Sequence, residues 1–175
     1  PAKPTYLDSD TSGNTLFQMT KSHTGDTTYI IDNTGTLTVL DTSNPGGGIS
    51  TIGGTLSGLG NVSDITIHGE LLYVADYAGD TIFVIDTNTP SNTPQIVDTF
   101  TGGIDGPIAT AYHNGTLFAI GENDNSLQSF DGQADGSLIQ GGAANEYFGT
   151  DITDIGDFNN DGFDDFAINS PGTGD

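Results

Sequence analysis

Nine residues toward the C-terminal end carry the densest chemistry in the chain: Asp157-Phe158-Asn159-Asn160-Asp161-Gly162-Phe163-Asp164-Asp165. Oxygen-bearing side chains fall at positions 1, 3, 5 and 9 of that run, and a glycine falls at position 6. A calcium ion takes six to eight oxygen ligands at about 2.3–2.6 Å. A short loop supplies them when alternate residues point inward and the backbone turns sharply at one point. Gly162 can take the positive φ of such a turn without a Cβ penalty. The spacing predicts Asp157, Asn159, Asp161 and Asp165 as side-chain ligands of Ca2+, with the Phe163 carbonyl as backbone ligand and water completing the shell. The plainer reading is a solvated turn, since Asp, Asn and Gly are ordinary turn residues. It leaves four carboxylates repelling one another within nine residues, which a bound divalent cation relieves.

The loop is not an EF-hand, because position 12, where a bidentate Glu belongs, is Ile168. Its flanks read as strands, Asp151–Ile155 before it and Phe166–Ile168 after it, so the predicted ion sits in a β-hairpin.

Internal repetition indicates which kind of β protein holds that hairpin. Three segments align without gaps at a step of 45: Pro4 through His23, Ile49 through His68, and Pro94 through His113. Each precedes an apolar strand, namely Tyr29–Asp32, Tyr73–Asp76 and Phe118–Ile120. A third strand follows and ends in Asp: Leu37–Asp41, Ile82–Asp86 and Leu127–Asp131. A fourth follows, as in Gln95–Asp98. Four short strands every 45 residues, joined by Gly, Asn, Asp and Pro turns, are the signature of a β-propeller blade. Asn114-Gly115 is a type I′ hairpin signal, and His68-Gly69 takes the equivalent place. Near-continuous apolar runs such as Leu72–Ala75 suit strands covered on both faces by neighbouring blades. A β-sandwich explains the strands but not the repeat. The fold class is therefore all-β, a β-propeller of four-stranded antiparallel blades with about three and a half present. Their boundaries are near 14–58, 59–103, 104–142 and 143–175, and residues 4–10 form an outer strand of a preceding or closing blade.

Two resemblances fall on these residues. Leu72-Tyr-Val-Ala-Asp-Tyr-Ala-Gly-Asp-Thr-Ile-Phe-Val-Ile-Asp86 resembles the YVTN or LVIVD-type propeller repeats of prokaryotic surface proteins, over roughly residues 20–131. Tyr147-Phe148-Gly149-Thr150, Ile155–Gly162, Asp165–Ile168 and Ser170-Pro171 closely resemble the FG-GAP repeat, over about residues 146–172. That resemblance implies a blade like those of integrin α-subunits, in which the loop joining the first two strands binds calcium. The usual Gly-Ala-Pro ending stands here as Asn169-Ser170-Pro171, a departure that leaves the ligand positions untouched.

Composition bounds the partners. Two lysines, no arginine and 24 acidic residues give a formal charge of −22, so no basic surface for nucleic acid can be built from Lys3 and Lys21. Anionic membranes are disfavoured for the same reason, and no apolar run is long enough to insert. Such a charge opposes compaction, and divalent cations or high ionic strength reduce the repulsion. With no Cys there is no thiol chemistry. Pro1-Ala-Lys-Pro starts like a mature or excised segment without an apolar h-region, so export is inferred from calcium use and acidity.

The remaining candidates reduce to structure. His23, His68 and His113 share one repeat position and read as turn residues rather than a metal set. Asp32, Asp41, Asp76, Asp80, Asp86, Asp98 and Asp131 mostly end strands, where Asp caps turns. Asp151 and Asp154 flank the calcium strand. Gly46-Gly47-Gly48 lacks the Lys-Ser/Thr of a phosphate loop, and Ser57 lacks a nucleophile elbow. Asn61 and Asn114 begin sequons that matter only in a glycosylating exporter. No catalytic set stands out. The sequence reads as a secreted or cell-surface calcium-binding propeller acting in adhesion, with a protein or glycan partner. Two alternatives stay open. One is a surface-layer or filament subunit self-assembled through the open edge of the last blade. The other is an exoenzyme, a polysaccharide lyase or phosphodiesterase, on the same scaffold.

Overall fold

The computed structural model describes residues 15–44, 48–130, 138–140, 152–156, 158 and 165–169. Among them every helix or strand element is a strand. β1 (Leu16–Lys21), β2 (Thr27–Asp32), β3 (Leu37–Asp41) and β4 (Ser50–Thr51) form an antiparallel sheet in chain order. A second such sheet holds β5 (Val62–His68), β6 (Leu71–Asp76), β7 (Thr81–Asp86) and β8 (Gln95–Thr101). The third holds β9 (Pro107–His113), β10 (Thr116–Gly121), β11 (Ser126–Phe130) and β12 (Leu138–Gln140). Finally, β13 (Ile152–Gly156) pairs with β14 (Asp165–Ile168). The expected outer strand at 4–10 lies outside the described residues.

Turn chemistry sets these meanders. His113 pairs with Thr116 across Asn114 (φ 44°) and Gly115 (φ 87°), the two positive φ values of a type I′ hairpin. The equivalent loop of the second sheet is Gly69-Glu70, closed by the His68–Leu71 pair, with positive φ at Gly69 alone as a type II′ turn requires. His68 is thus the last strand residue rather than a turn residue, which corrects the His68-Gly69 reading.

The gap-free step of 45 also needs correction. It holds from the second sheet to the third, where Thr66–Tyr73 and Ala111–Phe118 are matching pairs. From first to second, Thr20–Tyr29 matches Thr66–Tyr73, so the step is 46 before the turn and 44 after it. The first hairpin is two residues longer. Ser22, whose N–H donates to the Thr27 carbonyl at 2.8 Å, takes the place of His68, and His23 lies in the connection beyond it. The three histidines therefore do not share one structural position.

The apolar runs face two ways because sheets pack on both sides of them. Leu72, Val74 and Ile85 join Tyr29, Ile31, Leu37 and Val39 in a core between the first two sheets. Tyr73, Ile82 and Val84 point the other way, to Ile104, Leu117 and Ala119. Ile120 and Leu127 pack on Ile152, seating the β13–β14 pair on the third sheet. Fully burying each aliphatic side chain contributes about 1.5–3 kcal/mol.

The first strands of successive sheets lie side by side and are stitched by polar groups. Gln18 Nε2 donates to the Ser63 carbonyl at 2.8 Å, and Ser63 Oγ donates to the Pro107 carbonyl. The Thr110 N–H and hydroxyl both donate to Asp64 Oδ2, at 2.6 and 2.8 Å, while Thr66 Oγ1 donates to the Thr110 carbonyl at 2.8 Å. A carboxylate accepting two such bonds fixes the register of neighbouring sheets more firmly than a neutral acceptor.

Candidate binding face

Four connections join a first strand to a second: 22–26, 69–70, 114–115 and 157–164. The last is the predicted calcium loop. Asp157, Asn159, Asp161 and Phe163 lie outside the described residues. Asp165 opens β14 with its backbone opposite Gly156, and its side chain also lies outside what is described. The expected strands on either side are present and antiparallel, with Ile152 opposite Ile168 and Asp154 opposite Phe166.

On the other three connections the side chains form a consistent surface. The His68 imidazole stacks on the Tyr112 ring at 3.9 Å between centroids and 17° between planes. Tyr112 in turn stacks on Tyr73 at 5.6 Å. Burial pushes the Tyr73 hydroxyl above its ordinary range, and Tyr112 adds to the effect. The stack spans from the second sheet into the third and pins the end of β5. Next to it, Lys21, Ser22, His23, Ile67, His68 and Gly69 line an open groove of about 520 Å³. A second groove, of about 360 Å³, shares Ser22, His23 and Gly69 and continues past Tyr29 and Glu70 to Thr87 and Pro90.

At the opposite end of the sheets, carboxylates are taken up by the backbone. Asp32 Oδ1 accepts from the N–H groups of Thr34 and Thr36, at 2.8 and 3.1 Å, and from the Thr34 hydroxyl at 2.6 Å. Asp76 is buried and accepts the Asn61 N–H at 2.8 Å where the chain enters the second sheet. Asp80 Oδ1 accepts the Gly106 N–H at 2.9 Å and does the same between the second and third sheets. The Tyr77 hydroxyl is raised chiefly by a hydrogen bond to Glu122, with smaller effects from desolvation and neighbouring charge; its bond to Asn123 opposes the shift. Among the described residues, no group of three or more His, Asp or Glu side chains is placed to hold a metal.

Sequence reasoning found the caps but missed the aromatic stack and the Asp64–Thr110 link. Asp64 and Thr110 lie 46 residues apart, one more than the step between their sheets, so they become neighbours once the two first strands lie side by side.

Residues 23–47 and 59–98 match the LVIVD repeat. These residues cover β2, β3, β5, β6, β7 and the start of β8, and they stop before the stretch that resembles FG-GAP. No curated protein sequence matches the chain. Among solved structures it is similar to a protein of unknown function from Desulfotomaculum acetoxidans, at 20% identity and TM-score 0.55, over 71% of this chain and 41% of that one. It is similar to the RRP9 WD40 repeats at 12% identity and TM-score 0.61, over 77% and 41%. It is also similar to the periplasmic gluconolactonase of Pseudomonas aeruginosa at 14% identity and TM-score 0.58, over 73% and 39%. The likeness shows the fold: the four-stranded sheets are β-propeller blades. The chain spans about two fifths of the length of each of these structures.

Proposed function

We propose that the chain is an extracellular binding module, part of a β-propeller in which calcium pins the first hairpin of the fourth sheet and a protein or glycan partner is engaged in adhesion. The observation that carries this reading is the pairing of β13 with β14. Gly156 stands opposite Asp165, so the ends of the 157–164 connection meet across one ladder, as a hairpin ion loop of the FG-GAP kind requires. The ligand spacing of Asp157, Asn159, Asp161, Phe163 and Asp165 supplies the chemistry. Carboxylates serving as caps and inter-sheet acceptors, such as Asp32, Asp64 and Asp76, favour binding over hydrolysis.

Calcium bound to the folded chain alone stabilises it by about 2.7 kcal/mol at a hundredfold excess over Kd. For a chain of this size that is a rise in Tm of about 5–10 °C. Thermal unfolding with calcium, then with excess chelator, is expected to show that rise and its reversal. An unchanged Tm would count against the ion.

A second reading, self-assembly, is favoured by exposure on β1. Met19 is 70% exposed, whereas its structural counterparts Ile65 and Thr110 are 7% and 6% exposed beneath the preceding sheet. Leu16 differs from Val62 in the same way. If another blade packs there from a second chain, Met19→Lys shifts light scattering toward a single copy and lowers the Tm measured at high protein concentration, because association stabilises the folded chain. Equal mass for both proteins would remove this reading. A sugar-lactone hydrolase, the activity named for the Pseudomonas neighbour, is the enzyme reading that a lactone-opening assay decides.

A further inference from the structure

The crevice between the second and third sheets is lined differently from the one between the first and second. Across the third sheet, Tyr112 stands opposite Leu117, and Leu117 opposite Phe130. The same row of the second sheet reads Ile67, Leu72 and Ile85, and these pack with Tyr29 and Val39 of the first sheet. The facing rows differ too. In the second sheet Tyr73 stands opposite Val84, and Val84 opposite Asp98. In the first sheet Tyr29 stands opposite Val39, and Ile52, packed on the same core, donates its N–H to the Val39 carbonyl at 2.9 Å. Where the earlier crevice has Ile67, Ile85 and Ile52, this one has two aromatic rings and a carboxylate.

The side chains of this crevice meet. Tyr73 and Val84 pack in one cluster with Leu117, and Leu71, Phe100, Tyr112 and Phe130 join it. Residues opposite one another on a ladder share a face, so Asp98 lies on the face of the second sheet that is turned to the third. The Tyr73 ring stacks on Tyr112 at 5.6 Å between centroids, and the Phe100 ring on Phe130 at 4.8 Å. Each pair takes one ring from either sheet, and buried Val84 and Leu117 come between the two pairs in the register. These rings and Asp98 line an open groove of about 400 Å³.

We propose that this groove binds a small organic molecule through a quaternary ammonium group. Aromatic rings attract a cation held within about 6 Å of their centroids, and more strongly where water is excluded. Asp98 is the one charged residue among the described residues lining the groove, and its sign suits a cation. The whole chain reinforces it, with 24 acidic residues against two lysines and no arginine. Asp98 Oδ1 accepts the Thr99 N–H at 2.8 Å, which holds the carboxylate in place at the exposed rim. A primary ammonium would bring three N–H donors into a mainly apolar crevice, where unmet donors are costly; a quaternary one brings none and offers methyl groups to the rings. The volume falls in the range of small-molecule sites. The site stands on described residues and is independent of the calcium loop, so either reading can fail without the other.

Choline, titrated at fixed pH and ionic strength, is expected to shift the amide signals of Thr99, Gly115 and Phe130 saturably and to leave Gly25, in the first hairpin, in place. Its neutral isostere, in which a tert-butyl group replaces the trimethylammonium, should bind at least about tenfold more weakly, because it keeps the shape and loses the charge. Ethanolamine, with a primary ammonium, should bind at least about fivefold more weakly. Phe130→Ile and Asp98→Asn should each weaken choline at least about fivefold. Both variants are expected to fold: isoleucine is the residue at the matching position Ile85, and asparagine keeps an oxygen for the Thr99 N–H. Unchanged amide signals in the first sheet check this. The proposal is overturned if the shifts fail to saturate or spread over the acidic surface at large, which would leave choline as a counterion only. It is equally overturned if the neutral isostere or ethanolamine binds as tightly as choline, or if either folded variant retains the wild-type affinity.

Discussion

Replacing Leu72 by alanine is expected to cost about 2–5 kcal/mol, the range for truncating a fully buried leucine. Leu72 has no exposed surface and lies in the core shared by the first two sheets, with Leu37, Val39, Leu59 and Val62 around it. That core is bounded by backbone ladders on both sides, so it can close only partly over the space left behind, and the unfilled remainder adds to the lost transfer energy. A domain stable by about 5–15 kcal/mol loses a large fraction of its margin. Urea unfolding should show a lower midpoint with the slope unchanged. Ile96→Ala is the control: Ile96 is 42% exposed on the outer strand β8 and should move the midpoint by no more than about 0.5 kcal/mol. Equal losses at the two positions would mean that these sheets do not pack face to face as described.

Gly60→Ala is expected to cost about 2–5 kcal/mol, from two sources that act together. Gly60 has φ +72°, a region in which an L side chain is strained by about 1–3 kcal/mol. A Cβ there would also overlap the Asp76 carboxylate, which is buried and engaged by the Asn61 N–H. The carboxylate cannot swing away without leaving that N–H unmet. Asp76→Ala removes the obstacle but also the acceptor, so each single change is destabilising. The double variant should be less destabilised than the sum by roughly 0.5–3 kcal/mol, the coupling usual for groups in contact. Strict additivity would show that Gly60 and Asp76 do not meet.

Much of the architecture was legible in the sequence because local rules agreed with one another. Asn114-Gly115 specified its turn, and Leu72-Tyr73-Val74 read as a strand covered on both faces because its neighbours alternate between two cores. The aspartates at strand ends read as caps, and Asp32, Asp41 and Asp86 accept the N–H two residues on, whereas Asp76 accepts the N–H of Asn61 from the start of its sheet. What failed was the step between the first two repeats. A gap-free alignment at 45 averages a step of 46 and one of 44, and so placed His23 over His68 although Ser22 is the true counterpart. An insertion within a turn leaves the flanking hydrophobic pattern intact, so periodicity cannot register it. The His68–Tyr112 stack and the Asp64–Thr110 bonds were missed for a different reason: they join residues more than forty positions apart, and they show only when the first strands of neighbouring repeats are set side by side. The groove at Lys21 falls in the same class, since it exists only once two sheets lie side by side.

For the proposed calcium loop the sequence supplies ligand types and spacing, and the structure shows the β13–β14 ladder at its two ends. Isothermal titration of the metal-free chain with calcium tests that union most directly. Saturable heat corresponding to one ion per chain is expected, abolished by Asp161→Ala while the rest of the fold stays intact by amide NMR. Absence of heat, or the same isotherm from the Asp161→Ala protein, would contradict it.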